Sequence, residues 1–480
     1  MSYRGRPLPR LVLAALLLAA AVGARESAGQ VALAAAASRL RIPELQRPAE
    51  ATLLGCSARH ALCVHLLTKG APTSGGGPRA RAPKPPARPA PGRTSADSAP
   101  GRRTAWLART LRAADGVLDA FDAMGLPPPL ADDGRAGSDA YDVYLDPDAS
   151  SVRTVADARD PIARSDRASA FTMTPPPGPG TSCSFQAELA RSLAEAVLLG
   201  LDAAVHPSTL RMQASYLATL AVPCLEVELG AIDQAQRSPE LSLGFAPADG
   251  PSGLLLLPAY LDAAYGTGKP GAVMTGLIAV SQQLTPDKAE TLVDEPDAFD
   301  ALRHAATARG TTLDDILLDF AVSRAFVGSR SDGAHLPDTE RYGDFGRVRF
   351  EWSVPYPSLP RRLGPAWPIE PTGASYLWLD LADAPKGAEL LFQAEWQSPT
   401  VFAWALVKID RQGIEIGRVV SPAVYGNDKV QRTVADLDGL AGVLIVGVNL
   451  GSDDRSHPFD PDDPGTPAEY GVTLAASGGA

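Results

Sequence analysis

The stretch FQAELARSLAEAVLLGLDAA, residues 185–204, decides how the middle of this chain folds. Phe185, Leu189, Leu193, Val197 and Leu201 recur every four residues, which predicts a helix with one apolar stripe. Glu188, Arg191 and Glu195 fall on another face, spaced to pair with one another, and are expected to form a solvated charged surface. No histidine occurs in the stretch, so the helix offers no imidazole for metal binding.

Working outward, Cys183 and Cys224 bracket this helix, while Cys56 and Cys63 lie close together near the start. An even cysteine count in an exported chain favours disulfides, and of the three pairings we expect Cys56–Cys63 and Cys183–Cys224. Export is read from MSYRGRPLPRLVLAALLLAAAVGA, residues 1–24. Its basic Arg4, Arg6 and Arg10, short apolar run and Val22-Gly23-Ala24 end predict a signal peptide rather than a membrane span. No later segment is long enough to span, so a secreted protein, periplasmic or extracellular, is expected. A net charge of -11 argues against nucleic acid as a partner.

Residues 25–71 read as a small N-terminal segment, Ala/Leu-rich and helical in character. The Pro-, Gly- and Arg-rich residues 72–104 cannot build a core and predict a disordered linker. From Ala105 the pattern is globular: a helix up to Gly125, strands at YDVYLDPD (141–148) and RASAFTMT (167–174), then the quoted helix. Helices follow at RMQASYLATL (211–220), GLLLLPAYLDAAYG (253–266), DAFDALRHAATARG (297–310) and TTLDDILLDFAVSRAFVG (311–328). Thr312 and Asp315 have capping-box spacing at the start of the last one.

After about residue 345 the period becomes two. RVRFEWSV is expected to place Val348, Phe350, Trp352 and Val354 on one strand face. SYLWLDL, ELLFQAEW, FAWALVKID and GVLIVGVNL continue the pattern, and together they predict an antiparallel β-sandwich over 345–480.

Three other motifs bear on chemistry. CSARHALCVH sets Cys56, His60, Cys63 and His65 within reach of one zinc ion, but the tight spacing and the oxidising compartment favour a local disulfide. GTGKPG (266–271) fits GxGxxG in form, yet it follows a helix and Pro270 lacks a donor, so a plain loop is expected. The carboxylates of GSDDRSHPFDPDDPG (451–465) are a weaker candidate for calcium. No G-x-S-x-G elbow is present.

The order of elements resembles the HExxH, gluzincin-like metallopeptidases of myxobacteria. The matching stretches are DVYLDPD, RASAFTMT, AVLLGLDAA, QASYLATL, AYLDAAYG and ALRHAATARGTTLDDILLDFAVSRAFVG, with FEWSV, LFQAEW and VGVNL in the β-domain. The resemblance implies an α+β chain in which a mainly helical metallopeptidase-like domain (105–344) precedes an antiparallel β-sandwich (345–480). It places the HExxH slot on RSLAE, so the first ligand falls on Arg191, the general base on Ser192 and the second ligand on Glu195. The third ligand falls on Arg211, or on Gln213 after a two-residue slip.

Arginine stays protonated and cannot bind zinc, so no catalytic residue, no zinc and no other cofactor is expected. The function that follows is a catalytically inactive metallopeptidase-like protein with a binding or structural role at the bacterial cell envelope, toward an unidentified envelope or extracellular partner. Two alternatives stand beside it. One is an active metalloprotease or other hydrolase with rearranged ligands; the other is an adhesion or glycan-binding protein acting through its β-sandwich.

Overall fold

The computed structural model describes residues 47–48, 50–67, 99–159, 167–179, 182–245, 252–284, 296–357, 359–454, 458–461 and 463–477. The expected signal peptide, and the expected linker up to residue 98, lie outside them. The chain is an α+β protein with two compact units. One holds the described residues of 40–204 together with 217–224, and the other holds 205–216 and 225 onward.

The first unit is built on a five-stranded sheet. Its strands are β1 (Ala51–Cys56), β2 (Leu62–Leu67), β3 (Tyr141–Leu145), β4 (Arg153–Arg159) and β5 (Ala168–Thr174), in the order β1-β2-β3-β5-β4. The pairs β2–β3 and β3–β5 are parallel, whereas β1 and β4 run antiparallel at the two edges. Parallel interior strands are covered on both faces, which is why LCVHLL and YDVYL are buried almost throughout. Helix α1 (Ala99–Met124) packs on β1 and β2, and α2 (Cys183–Leu199) packs on β4 and β5. The two helices also touch each other.

Two expectations change here. Of the N-terminal segment, read as helical from its Ala and Leu content, the described residues 50–67 hold the β1–β2 hairpin, with Cys56 opposite Cys63 in register. Pairing with β3 overrides the weak local preference for helix. The end of the expected linker is already helical, because α1 starts at Ala99 rather than Ala105. At its other end α1 stops where expected, on Gly125, whose φ of 84° is the left-handed conformation glycine takes most readily.

The second unit contains α4 (Leu225–Arg237), α5 (Leu256–Tyr265), α6 (Ala272–Leu284), α7 (Ala298–Ala308) and α8 (Leu313–Arg324). The helix between the two stretches of the first unit, α3 (Pro207–Ala221), lies mostly in this unit. The Thr312/Asp315 capping box is formed at α8. Neither α4 nor α6 was legible as a helix in the sequence.

The strands of this unit are β6 (Trp352–Pro355), β7 (Arg361–Leu363), β8 (Ala374–Asp380), β9 (Glu389–Trp396), β10 (Thr400–Ile409), β11 (Glu415–Ser421), β12 (Lys429–Val434), β13 (Gly442–Ser452) and β14 (Tyr470–Ser477). They form two sheets, β11-β10-β13-β8-β6 and β12-β9-β14-β7. Leu377, Leu379, Phe392, Trp404, Ile445 and Val472 join both sheets in one core. The pairing is antiparallel except for β6 with β8, which is parallel. RVRFEWSV does not present one apolar face: Val348 precedes the strand, Val354 is buried, and Trp352 is 43% exposed with Nε1 donating to the Gly364 carbonyl.

Candidate functional site

Helix α2 starts after Ser182, which has extended backbone, and its first turn is tied to Cys224 by the Cys183 disulfide, with S–S 2.14 Å. Its Arg191–Glu195 pair is not solvated. Arg191, Ser192 and Glu195 are all buried, and Glu188 is half-buried. The expected solvated face is therefore corrected: Arg191 Nη1 donates to Glu195 Oε1 at 2.5 Å, and Nη2 donates to the Val152 carbonyl at 3.2 Å. Mutual neutralisation together with this backbone acceptor makes burial of the pair tolerable. Arg191 Nε finds no partner.

Ser192, on the general-base position, belongs to a chain of neutral hydroxyls. Its Oγ lies 2.8 Å from Thr154 Oγ1 on edge strand β4 and 2.8 Å from Thr172 Oγ1 on β5. The Tyr141 hydroxyl continues the chain, 2.8 Å from Thr172 Oγ1. Burial pushes the Tyr141 pKa well above the ordinary phenol value, so no member of this chain is a base at neutral pH. Arg211 is half-buried on α3, in the part of that helix belonging to the second unit, and Gln213 nearby is buried. At 191, 192 and 195 the structure offers one carboxylate, already paired, and no imidazole.

The four soft ligands of CSARHALCVH do not converge on one point. Cys56 and Cys63 form the expected disulfide, with S–S 2.07 Å. His60 Nε2 instead meets Asp119 at 3.0 Å, and His65 Nε2 meets Asp142 at 2.8 Å.

His65 leads to a cluster that the sequence did not reveal. Asp132, Asp142 and Asp157 are buried around the Arg47 side chain, which is 8% exposed. Arg47 Nε donates to Asp157 Oδ2 at 2.6 Å, and Nη1 contacts Asp142. Asp132 Oδ2 lies 2.5 Å from Nη1 but in a direction that makes no hydrogen bond, and Arg47 Nη2 is unpartnered. The guanidinium sits 5.3 Å from the Phe171 ring centroid, and Tyr144 stacks on His65 at 5.0 Å. Burial opposes the charge on Arg47, yet the Asp157 hydrogen bond and the three carboxylates together raise its pKa. Burial also raises the pKa of Asp132. The available signal was the single polar residue in each of two apolar parallel strands, His65 in LCVHLL and Asp142 in YDVYL.

A second ionic cluster belongs to the other unit. His335 Nδ1 meets Asp332 and its Nε2 meets Glu415, both at 2.8 Å, while Phe326 stacks on the ring at 4.0 Å. Arg418 bonds both Glu415 oxygens and also Asp319. Burial raises the Glu415 pKa, but hydrogen bonds from His335 and Arg418 outweigh it and leave the pKa lowered. Among the described residues, the polar contacts of His335 are Asp332, Glu415 and Arg418, and none is a nucleophile.

The remaining sequence motifs resolve plainly. GTGKPG is the loop from α5 to α6, and Asp262 already accepts the amides of Gly271 and Val273 that a phosphate would need. In 451–465, among the described residues, no three acidic groups bring ligand oxygens within 4.8 Å of one another.

Asp297 caps α7 through the Asp300 amide at 2.8 Å, and its Oδ2 is buried without a partner. Burial, opposed in part by that amide, pushes its pKa up to about 7. The folded state therefore holds a proton that the unfolded chain releases near pH 4, and stability from this group falls as pH rises toward 7. Asp297→Asn keeps the cap. Relative to the variant, the wild type should lose at most about 1.4 kcal/mol per pH unit between roughly pH 5 and 7 in urea denaturation. Parallel pH profiles would refute this assignment.

No family model and no curated protein matches the chain. Among solved structures it is similar to CorA of Methylomicrobium album BG8, described as a surface-associated copper-binding protein important in copper acquisition. The identity is 8% and the TM-score 0.17, over 26% of this chain and 97% of that one.

Proposed function

We propose that the protein is an exported, non-catalytic relative of the HExxH zinc metallopeptidases, with a C-terminal β-sandwich and a binding or structural role at the cell envelope. The observation that carries this reading is the closed Arg191–Glu195 pair. It occupies the two ligand positions of the slot with a protonated guanidinium and a carboxylate that is already neutralised. Three further observations support it. The succession β3, β5, α2 keeps the strand, strand, helix order of the resemblance, with the antiparallel edge strand β4 inserted between β3 and β5. Ser192 stands in place of a general base and bonds to that edge strand. The two disulfides suit an oxidising compartment, and among the described residues no helix is long and apolar enough to cross a membrane.

The test is metal analysis and proteolysis on the mature protein. We expect far less than one equivalent of zinc after purification without chelator, and no casein cleavage that a chelator abolishes. One equivalent of zinc that disappears in Glu195→Ala, or chelator-sensitive cleavage by the unmodified protein, would overturn the proposal in favour of an active enzyme with rearranged ligands.

A further inference from the structure

The second unit carries a cleft of about 500 Å³ at one end of its two sheets. This volume is within the range of small-molecule sites. Three connections form it: β8–β9, the β10–β11 hairpin and β12–β13. Backbone bonds tie these connections together, from Leu381 N–H to Ala441 O at 3.1 Å and from Ala441 N–H to Ile409 O at 2.9 Å. The Gly387 amide also donates to Asp438 Oδ1 at 2.8 Å. The rim is thus fixed before any ligand arrives.

The lining combines one aromatic with charged groups of both signs. Trp378 is half-buried and belongs to a stack: Phe350 lies parallel to it at 6.2 Å, and the Arg330 guanidinium lies 3.7 Å from the Phe350 centroid. Gly442 lets the indole lie on the backbone of β13, since a Cβ there would come within 2.3 Å of Trp378 Cζ2. The ring is therefore held in place by neighbours that do not themselves line the cleft. Around it stand exposed Asp380, Asp438 and Arg411. Asp380 Oδ1 accepts the Ala382 amide and Asp438 Oδ1 the Gly387 amide, which restrains each carboxylate at the cleft.

We propose that this cleft binds a pyranose unit of a neutral glycan, with the apolar face of the sugar on Trp378. The sugar hydroxyls would donate to Asp380 and Asp438 and accept from Arg411. A fixed aromatic surface next to separate donors and acceptors suits a ligand that has an apolar face and a ring of hydroxyls. An anionic ligand would meet two carboxylates, and a cationic one would meet Arg411. This inference deepens the binding role proposed above and rests on it.

Isothermal titration of the mature full-length protein with chitopentaose, cellopentaose, xylopentaose and laminaripentaose tests it. We expect saturable binding of at least one of them at millimolar concentration or below. Binding of chitopentaose alone identifies an N-acetylated wall-type glycan, whereas binding of the others identifies an unsubstituted polysaccharide. Trp378→Ala should weaken binding about tenfold or more, Trp378→Tyr should retain most of it, and the surface changes Asp438→Ala and Arg411→Ala should each weaken it severalfold. Failure of all four sugars to bind, or binding untouched by Asp438→Ala, Arg411→Ala and Trp378→Ala, overturns the assignment. A zinc-free, inactive protein that binds no sugar refutes this inference alone. Zinc-dependent cleavage by a protein that does bind sugar refutes only the proposed function.

Discussion

Arg47→Ala is expected to destabilise the first unit by about 3–5 kcal/mol, the usual cost of removing one partner from a buried ionic cluster. The wild type places one guanidinium among Asp132, Asp142 and Asp157, all buried, with His65 bonded to Asp142. Without Arg47 the three buried carboxylates lose their shared counter-ion, and among the described residues Arg135, 3.4 Å from Asp157, is the remaining arginine contact. Burial already raises the Asp132 pKa, and losing the Arg47 charge raises it further.

A carboxyl whose pKa is raised in the folded state holds its proton there more tightly than in the unfolded chain. Stability then falls as pH rises from the ordinary carboxylate value toward the raised one. The deficit of Arg47→Ala should accordingly be smaller at pH 5 than at pH 8. Arg47→Lys restores a charge but not the forked donor set, and should recover part of the loss. Hydrogen exchange in peptides covering 62–67 and 141–145 reads the effect locally, which matters because a chain of two compact units need not unfold in one step. A loss below about 1 kcal/mol, or one independent of pH, would show that the cluster does not carry this load.

How much of this was legible beforehand depends on whether a feature is local. The helix at 183–199 follows from its apolar spacing and β9 from alternation, whereas β8, β10 and β13, expected to alternate, are apolar and buried almost throughout. Burial of Arg191 and Glu195 does not follow, because an i,i+4 ion pair has the same spacing on a solvated face and in a covered one. The β1–β2 hairpin was missed because Ala and Leu favour helix locally, whereas pairing with β3 decides the outcome. The Arg47 cluster draws on residues 47, 65, 132, 142 and 157, the His335 clasp joins positions 80 residues apart, and the Trp378 cleft is assembled from three connections. Such sites exist only after the strands find their register, so no window of sequence contains them.

Glu195→Ala should cost about as much as the loss of Arg47, roughly 3–5 kcal/mol, and for a related reason. It leaves Arg191 buried with the Val152 carbonyl as its remaining acceptor and with Nε already unsatisfied. Arginine cannot escape by losing its proton, so the unfolded state, where water solvates the charge, gains in proportion. The double change Arg191→Met/Glu195→Leu removes both charges while keeping apolar volume on a helix that is otherwise buried over the same turns. It should therefore return to within about 1–2 kcal/mol of wild type, or exceed it, since well-packed apolar replacements of buried ion pairs are often neutral or stabilising. Urea denaturation of the two single changes and the double yields the coupling energy of the pair. A large favourable coupling, with a stable double variant, would mean that RSLAE is held as a closed structural pair and that its polarity is dispensable to the fold. If the double variant falls as far as the sum of the singles, the two charges have separate partners. The slot would then be open in a way that a purely structural helix is not.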